Sequence, residues 1–338
     1  MSLFLFYAVL FVVMLMLPFL VAATMYKKED KAALYIKNDN VRDPRYFSKS
    51  FRAMLEKALK TYDGSGYITL SKKDKLNTGD FAEGEVEGIS YTDLPFTEEN
   101  AHAFMGEFYA KDDAKFARET SLRALAGVKN LTLGEDNEVV RWVDAEKTLV
   151  CGNGSELGVS ASAAQKMKLG VDCLFMRLYA QAIYIGLDAP ELAFTPVQQP
   201  KETGFETVDE VDEDEIITTV MICRGGLTIG KNARILGSVK STGNIHVQSG
   251  AQIQGSLVAD GNIIFEENSF VGGVVFSQGS VFLGRNCQIG RPHGIKSLIA
   301  KENITLCEGS RIYGYASCER GGRTVNYDDY LEIIGEEY

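Results

Sequence analysis

The run Gly243–Asp260 reads G-N-I-H-V-Q-S-G-A-Q-I-Q-G-S-L-V-A-D, and Gly261–Gln278 follows it directly as G-N-I-I-F-E-E-N-S-F-V-G-G-V-V-F-S-Q. These two copies of 18 residues carry apolar or small side chains at the third and fifth, ninth and eleventh, and fifteenth and seventeenth positions. Inward residues two apart are the mark of a short strand with alternating faces, and three such pairs per copy imply three strands per turn around a closed core.

Working outward, Gly225 to Cys318 divides into five such rungs with one insertion. The third position holds Leu227, Ile245, Ile263, Val281 and Ile304, and the fifth holds Ile229, Val247, Phe265, Leu283 and Leu306. The eleventh holds Ile235, Ile253, Val271, Ile289 and Ile312. Small residues Ala233, Ala251, Ser269, Cys287 and Ser310 fill the ninth. The fifteenth reads Val239, Leu257, Val275, Leu298 and Ala316, and the seventeenth Ser241, Ala259, Ser277, Ala300 and Cys318. At the eighth stand Asn232, Gly250, Asn268, Asn286 and Gly309, residue types that accept left-handed backbone angles at least cost and so mark a corner. Gly237, Gly255, Gly273 and Gly314 mark a second corner, where the insertion Arg291–Lys296 leaves the stack. An antiparallel sandwich predicts turn signals but not side-chain sizes recurring at a fixed period. The expected fold is mainly β: a parallel β-helix, or β-solenoid, of about 18 residues per turn.

The motif G-N-I-x-V-x-x-G-A-x-I-x-G-x-L of Gly243 to Leu257, its near copy at Gly261 to Val275 and the acidic stretch preceding the repeat resemble the bactofilins, polymer-forming bacterial cytoskeletal proteins. The resemblance covers about a hundred residues of the chain. It implies a right-handed β-helix that polymerises end to end without nucleotide. The long amino-terminal part departs from the usual small bactofilin.

Leu3 to Met25 is a run of 23 residues without a charge, enough to span a bilayer as a transmembrane helix. A cleaved signal peptide would have a shorter apolar run preceded by basic residues; here Lys27, Lys28 and Lys31 follow it instead. That asymmetry predicts a single-pass anchor (residues 1–25) in the inner, cytoplasmic membrane, with the body in the cytoplasm.

Between anchor and repeat, residues 26–105 read as a mixed α/β region, with Phe47, Phe51, Met54, Leu55 and Leu59 near one face of a helix over Tyr46–Thr61. A fainter period at 106–189 predicts a second solenoid: Leu131, Leu149 and Met167 are 18 apart, as are Val139, Leu157 and Phe175, and Val143, Ala161 and Tyr179. Residues 190–215, with Pro190, Pro196, Pro200 and a cluster of acids, read as a linker. The repeat domain is then 216–319, and 320–338 is an acidic tail or cap.

The sequence offers little chemistry. Its net charge of -11 argues against a nucleic-acid partner. Six cysteines without a C-x-x-C pair, and three histidines far apart, give no metal or cofactor motif, and no phosphate loop is present. β-helical acyltransferases share the 18-residue turn, and His293 in the insertion is the best base such an enzyme would have here, yet no acid lies near it in sequence to orient it. The expectation is a non-enzymatic scaffold that assembles with itself as a homopolymer and is held to the membrane through Leu3–Met25. The alternative is a monomeric membrane-bound adaptor recruiting a protein client.

Overall fold

A computed structural model describes residues 43–70, 73–78, 81, 84–188, 205–207 and 210–337, together with Phe6, Tyr7, Leu10, Phe11, Met14 and Met16. The chain forms two compact units, Met1–Asp43 and Pro44–Tyr338. Apart from its six described positions, which are helical, the expected membrane span Leu3–Met25 lies outside the described residues. Among the described residues no helix is long and apolar enough to cross a membrane.

The second unit is a β-solenoid whose strands stack in three columns. In the repeat, Leu227, Ile245, Ile263, Val281 and Ile304 lie in register, as do Ile229, Val247, Phe265, Leu283 and Leu306. A second column aligns Ile235, Ile253, Val271, Ile289 and Ile312, and the third runs from Val239 through Leu257, Val275 and Leu298 to Ala316. All fifteen residues of the third, fifth and eleventh positions are at most 2% exposed. At the corner, Asn232, Asn268 and Asn286 have φ of 55°, 60° and 58°, and Gly250 and Gly309 have 76° and 78°. The second corner obeys a different constraint: a Cβ on Gly255 would stand 2.5 Å from the carbonyl oxygen of Gly237, and one on Gly273 equally near Gly255. Here the backbones of successive rungs approach too closely for a side chain.

The segment 106–189 is a solenoid too, and its stack begins earlier than the sequence suggested. Lys73–Thr78, Glu85–Val86 and Phe96–Thr97 already pair in parallel with the rungs that follow, so part of the mixed region 26–105 belongs to the stack. Aromatic packing hid it, because Phe96, Phe104, Phe108 and Phe116 fill this end where the later rungs use aliphatic residues. One column corrects the simple period. Val143 and Ala161 are followed by Leu178, not Tyr179; Tyr179 pairs with Ser162 on the outer face. The Leu174–Ile185 strand slips by one residue and keeps its aliphatic side chain inside.

Two boundaries move as well. Residues 205–207 and 210–211 of the expected linker 190–215, with Ile216 and Ile217 at the margin of the repeat domain 216–319, form the first rung of the second solenoid. Val211 and Ile217 face inward there, and the acids between them are exposed, so they are compatible with a rung. At the other end, the expected tail or cap 320–338 is part stack and part helix, with residues 321–325 paired over Asn303–Cys307. The Arg311–Val325 strand completes the last rung, and a helix, α2 (Tyr327–Glu337), turns back along the side. Asn326 caps it, its Oδ1 accepting the Asp329 amide at 2.9 Å. Tyr330, buried, reaches the carbonyls of Phe265 and Phe282 at 2.6 and 3.1 Å.

The first solenoid carries a matching flank helix, α1 (Tyr46–Leu59). Leu55 shares one buried cluster with Ile68, Leu76, Ile89, Tyr109 and Ala126 on the outside of successive rungs, and the helix start reaches Asp144 further along, so α1 runs along the stack. Its 14 residues span about 21 Å, close to the height of four or five rungs at about 4.8 Å each.

Candidate assembly surface

The two solenoids meet at their carboxy-terminal rungs. The strand Leu174–Ile185 pairs antiparallel with Arg311–Val325, aligning Phe175 with Gly322, Leu178 with Ala316 and Ile183 with Ile312. Antiparallel pairing is what two stacks require when they join by equivalent ends, because their strands run in opposite senses. The core passes through the junction without a break, from Val86 to Cys318. Buried Thr324 fastens it: its hydroxyl donates to the Gly170 carbonyl at 2.8 Å and accepts the Cys173 amide at 2.8 Å.

This junction occupies the carboxy-terminal end that an isolated repeat would leave open. What remains is the first rung of each solenoid. In the first, Glu85–Val86 and Phe96–Thr97 pair on one side only among the described residues. In the second, the strands Phe205–Thr207, Glu210–Val211 and Ile216–Ile217 each pair on one side only among the described residues. Such edges present backbone donors and acceptors in a form another strand can use. The first rung of the second solenoid is strongly acidic, with Glu210, Asp212, Glu213, Asp214 and Glu215 all exposed, and Ile216 beside them is 62% exposed.

Sequence reasoning missed the device that fixes α1. Arg45 and Arg52 reach from the helix to Asp144 and Glu146 on the outer face of the stack; Arg45 lies 2.6 Å from Asp144 and 2.9 Å from Glu146, and Arg52 contacts both. Asp144 is 1% exposed, Arg45 6% and Arg52 7%. Burial lowers the pKa of Arg52 against the opposing pull of Glu146. Burial also pushes Glu146 up, but the Arg45 hydrogen bond and both arginine charges outweigh it and leave the carboxyl below its ordinary value. No local pattern signals partners about a hundred residues apart; an aspartate amid an apolar strand, W-V-D-A, was the one available hint.

The chemistry-bearing side chains are dispersed. His102 sits beside Glu98 at 3.4 Å, His246 faces Glu266 at 2.9 Å, and His293 occupies a left-handed position in the inserted loop, with φ 63°. Among the described residues no group of three or more His, Cys, Asp or Glu could hold a metal ion. All six cysteines are buried thiols outside any disulfide. Burial pushes Cys287 and Cys307 up to about 12 and Cys318 to about 11, and raises Cys151 and Cys173 as well. Thiolate is the reactive form, so a thiol reagent at mildly alkaline pH is expected to leave the native protein unmodified and to titrate all six cysteines after denaturation. Rapid modification of even one thiol in the folded chain would contradict this burial.

Comparison with protein-family models, curated proteins and solved structures finds no match for this chain.

Proposed function

We propose that this chain is a membrane-anchored scaffold that assembles with copies of itself through the open first rung of its second solenoid, without nucleotide. The observation that carries the reading is the junction between the two solenoids: a terminal rung of this build pairs with another terminal rung inside the chain. The open strands at 205–217 offer the same kind of edge to a neighbouring molecule. The bactofilin-like motif at Gly243–Leu257 supports the same reading. The charge-free run Leu3–Met25 would hold the assembly on the cytoplasmic face of a bacterial inner membrane.

The acids of the open rung add a constraint. Two such edges meeting directly bring Glu210 and Asp212–Glu215 of both copies together, and exposed like charges repel over a distance that salt shortens, about 8 Å at physiological ionic strength. Assembly of the full chain in detergent, followed by electron microscopy and sedimentation without nucleotide, is therefore expected to grow as salt is raised. Ile216→Lys, a change at an exposed position with little cost to folding, is expected to abolish it. A monodisperse monomer at every salt concentration would sink self-assembly and leave a monomeric adaptor as the reading to pursue.

A further inference from the structure

The inner face of α1 is accounted for by the stack; its outer face is not. Ser48, Arg52 and Leu55 are buried against the solenoid, with Phe51, Ala58 and Leu59 packed partly beside them. Phe47 and Met54, about 80° and 100° round the helix from Leu55, are 61% and 50% exposed. Seven residues apart, they stand two turns from one another on one line of the helix. Ala53, Lys57 and Lys60, exposed as well, lie about 100°, 60° and 120° round from Met54, on the outward-facing side next to that line. The helix has one acid, Glu56, whose carboxylate accepts a hydrogen bond from the Tyr109 hydroxyl at 2.6 Å. A chain of net charge -11 thus presents an apolar and basic strip at this place.

Exposed apolar residues scattered singly need no explanation. Here they share a line, lysines flank them, and the uncharged run Leu3–Met25 ends about twenty residues before the helix begins. We propose that the outer face of α1 lies on the headgroups of an anionic lipid bilayer, with Phe47 and Met54 entering the interface and Lys57 and Lys60 contacting lipid phosphates. The Arg45 and Arg52 ion pairs fix α1 to the stack and α1 runs along it, so this contact lays the first solenoid's long axis parallel to the membrane. The inference rests on reading the chain as a membrane protein, and its test separates the two.

Because the native cysteines are buried, Ala53→Cys gives a single accessible thiol on the outer face for an environment-sensitive fluorophore. The labelled full chain, reconstituted into phosphatidylcholine vesicles with phosphatidylglycerol, is expected to show blue-shifted emission and protection from an aqueous quencher. Both effects should vanish in pure phosphatidylcholine and in Lys57→Glu/Lys60→Glu; removing two lysine contacts corresponds to about a thirtyfold loss of surface partition. Emission that stays aqueous in anionic vesicles overturns the proposal. So does a blue shift already present in detergent, which would mean that another part of the chain, or a second copy, covers the face. Flotation of the same samples reports on the anchor. An anchored chain floats with every vesicle, whereas flotation that needs both phosphatidylglycerol and the lysines means that α1 binds lipid but Leu3–Met25 does not anchor.

Discussion

Asp144→Ala is expected to destabilise the folded chain by about 3–5 kcal/mol, the range found when one partner of a buried ion pair is removed and the other charge stays behind. Asp144 is 1% exposed and is the carboxylate that both Arg45 and Arg52 contact. Glu146 remains, but its side chain is 36% exposed and cannot neutralise two buried guanidinium groups. The loss should be local in its consequences, because α1 lies on the outside of the stack and is not part of its rungs: protease cleavage within 45–60 is expected to become rapid while the rungs beyond Leu149 stay protected. Replacing all three residues together, with Arg45→Leu, Arg52→Leu and Asp144→Leu, should recover much of the stability, since an apolar contact of similar volume carries no desolvation cost. A single Asp144→Ala variant with the denaturation midpoint and protease pattern of the parent would show that the cluster does not hold α1. The pH dependence has a definite sign. The Glu146 pKa is depressed in the folded state, so its contribution is present above its unfolded pKa and is lost as pH falls through the lower folded value.

How much of this was legible in the sequence depended on whether the information was periodic. Leu227, Ile245 and Ile263 announce their stacking because each rung solves the same packing problem, and the same is true of Asn232, Asn268 and Asn286 at their corner. The first solenoid was harder to read because its rungs differ: phenylalanines crowd the start, and the spacing contracts by one residue between Ala161 and Leu178. The acidic composition of 205–217 masked a rung for a related reason. Val211 and Ile217 supply inward apolar residues there, while the exposed positions between them are free to carry charge. What no period can encode is contact between unlike parts of the chain. Arg45 with Asp144, and Thr324 with Gly170, join residues separated by 99 and 154 positions. These contacts set α1 on its face and close one end of the repeat, so they decide which surface is left for assembly.

The junction itself yields the other large effect. Gly322 lies opposite Phe175, and a Cβ at this position would collide with the phenylalanine ring. Phe175 is 3% exposed, so the ring cannot swing aside into solvent without parting the two stacks. Gly322→Leu adds four carbons at that contact, and overpacking of this kind costs about 1–3 kcal/mol or more. Each solenoid has its own internal strand pairing, so the strain is better relieved by separating the stacks than by unfolding either. With the core continuous from Val86 to Cys318, the parent chain is expected to melt in one transition through the joined stacks, and Gly322→Leu in two. Separation also uncovers the edges of Leu174–Ile185 and Arg311–Val325, which then become free to pair between molecules as they do within one. Sedimentation of the variant should therefore show new dimers that persist when Ile216→Lys is added, since they use the opposite end of the second solenoid. A variant that melts once, at the parent temperature, and forms no such dimers would mean that the rungs at the junction are not held by the Phe175 and Gly322 contact, and would remove the main physical support for pairing between solenoid ends.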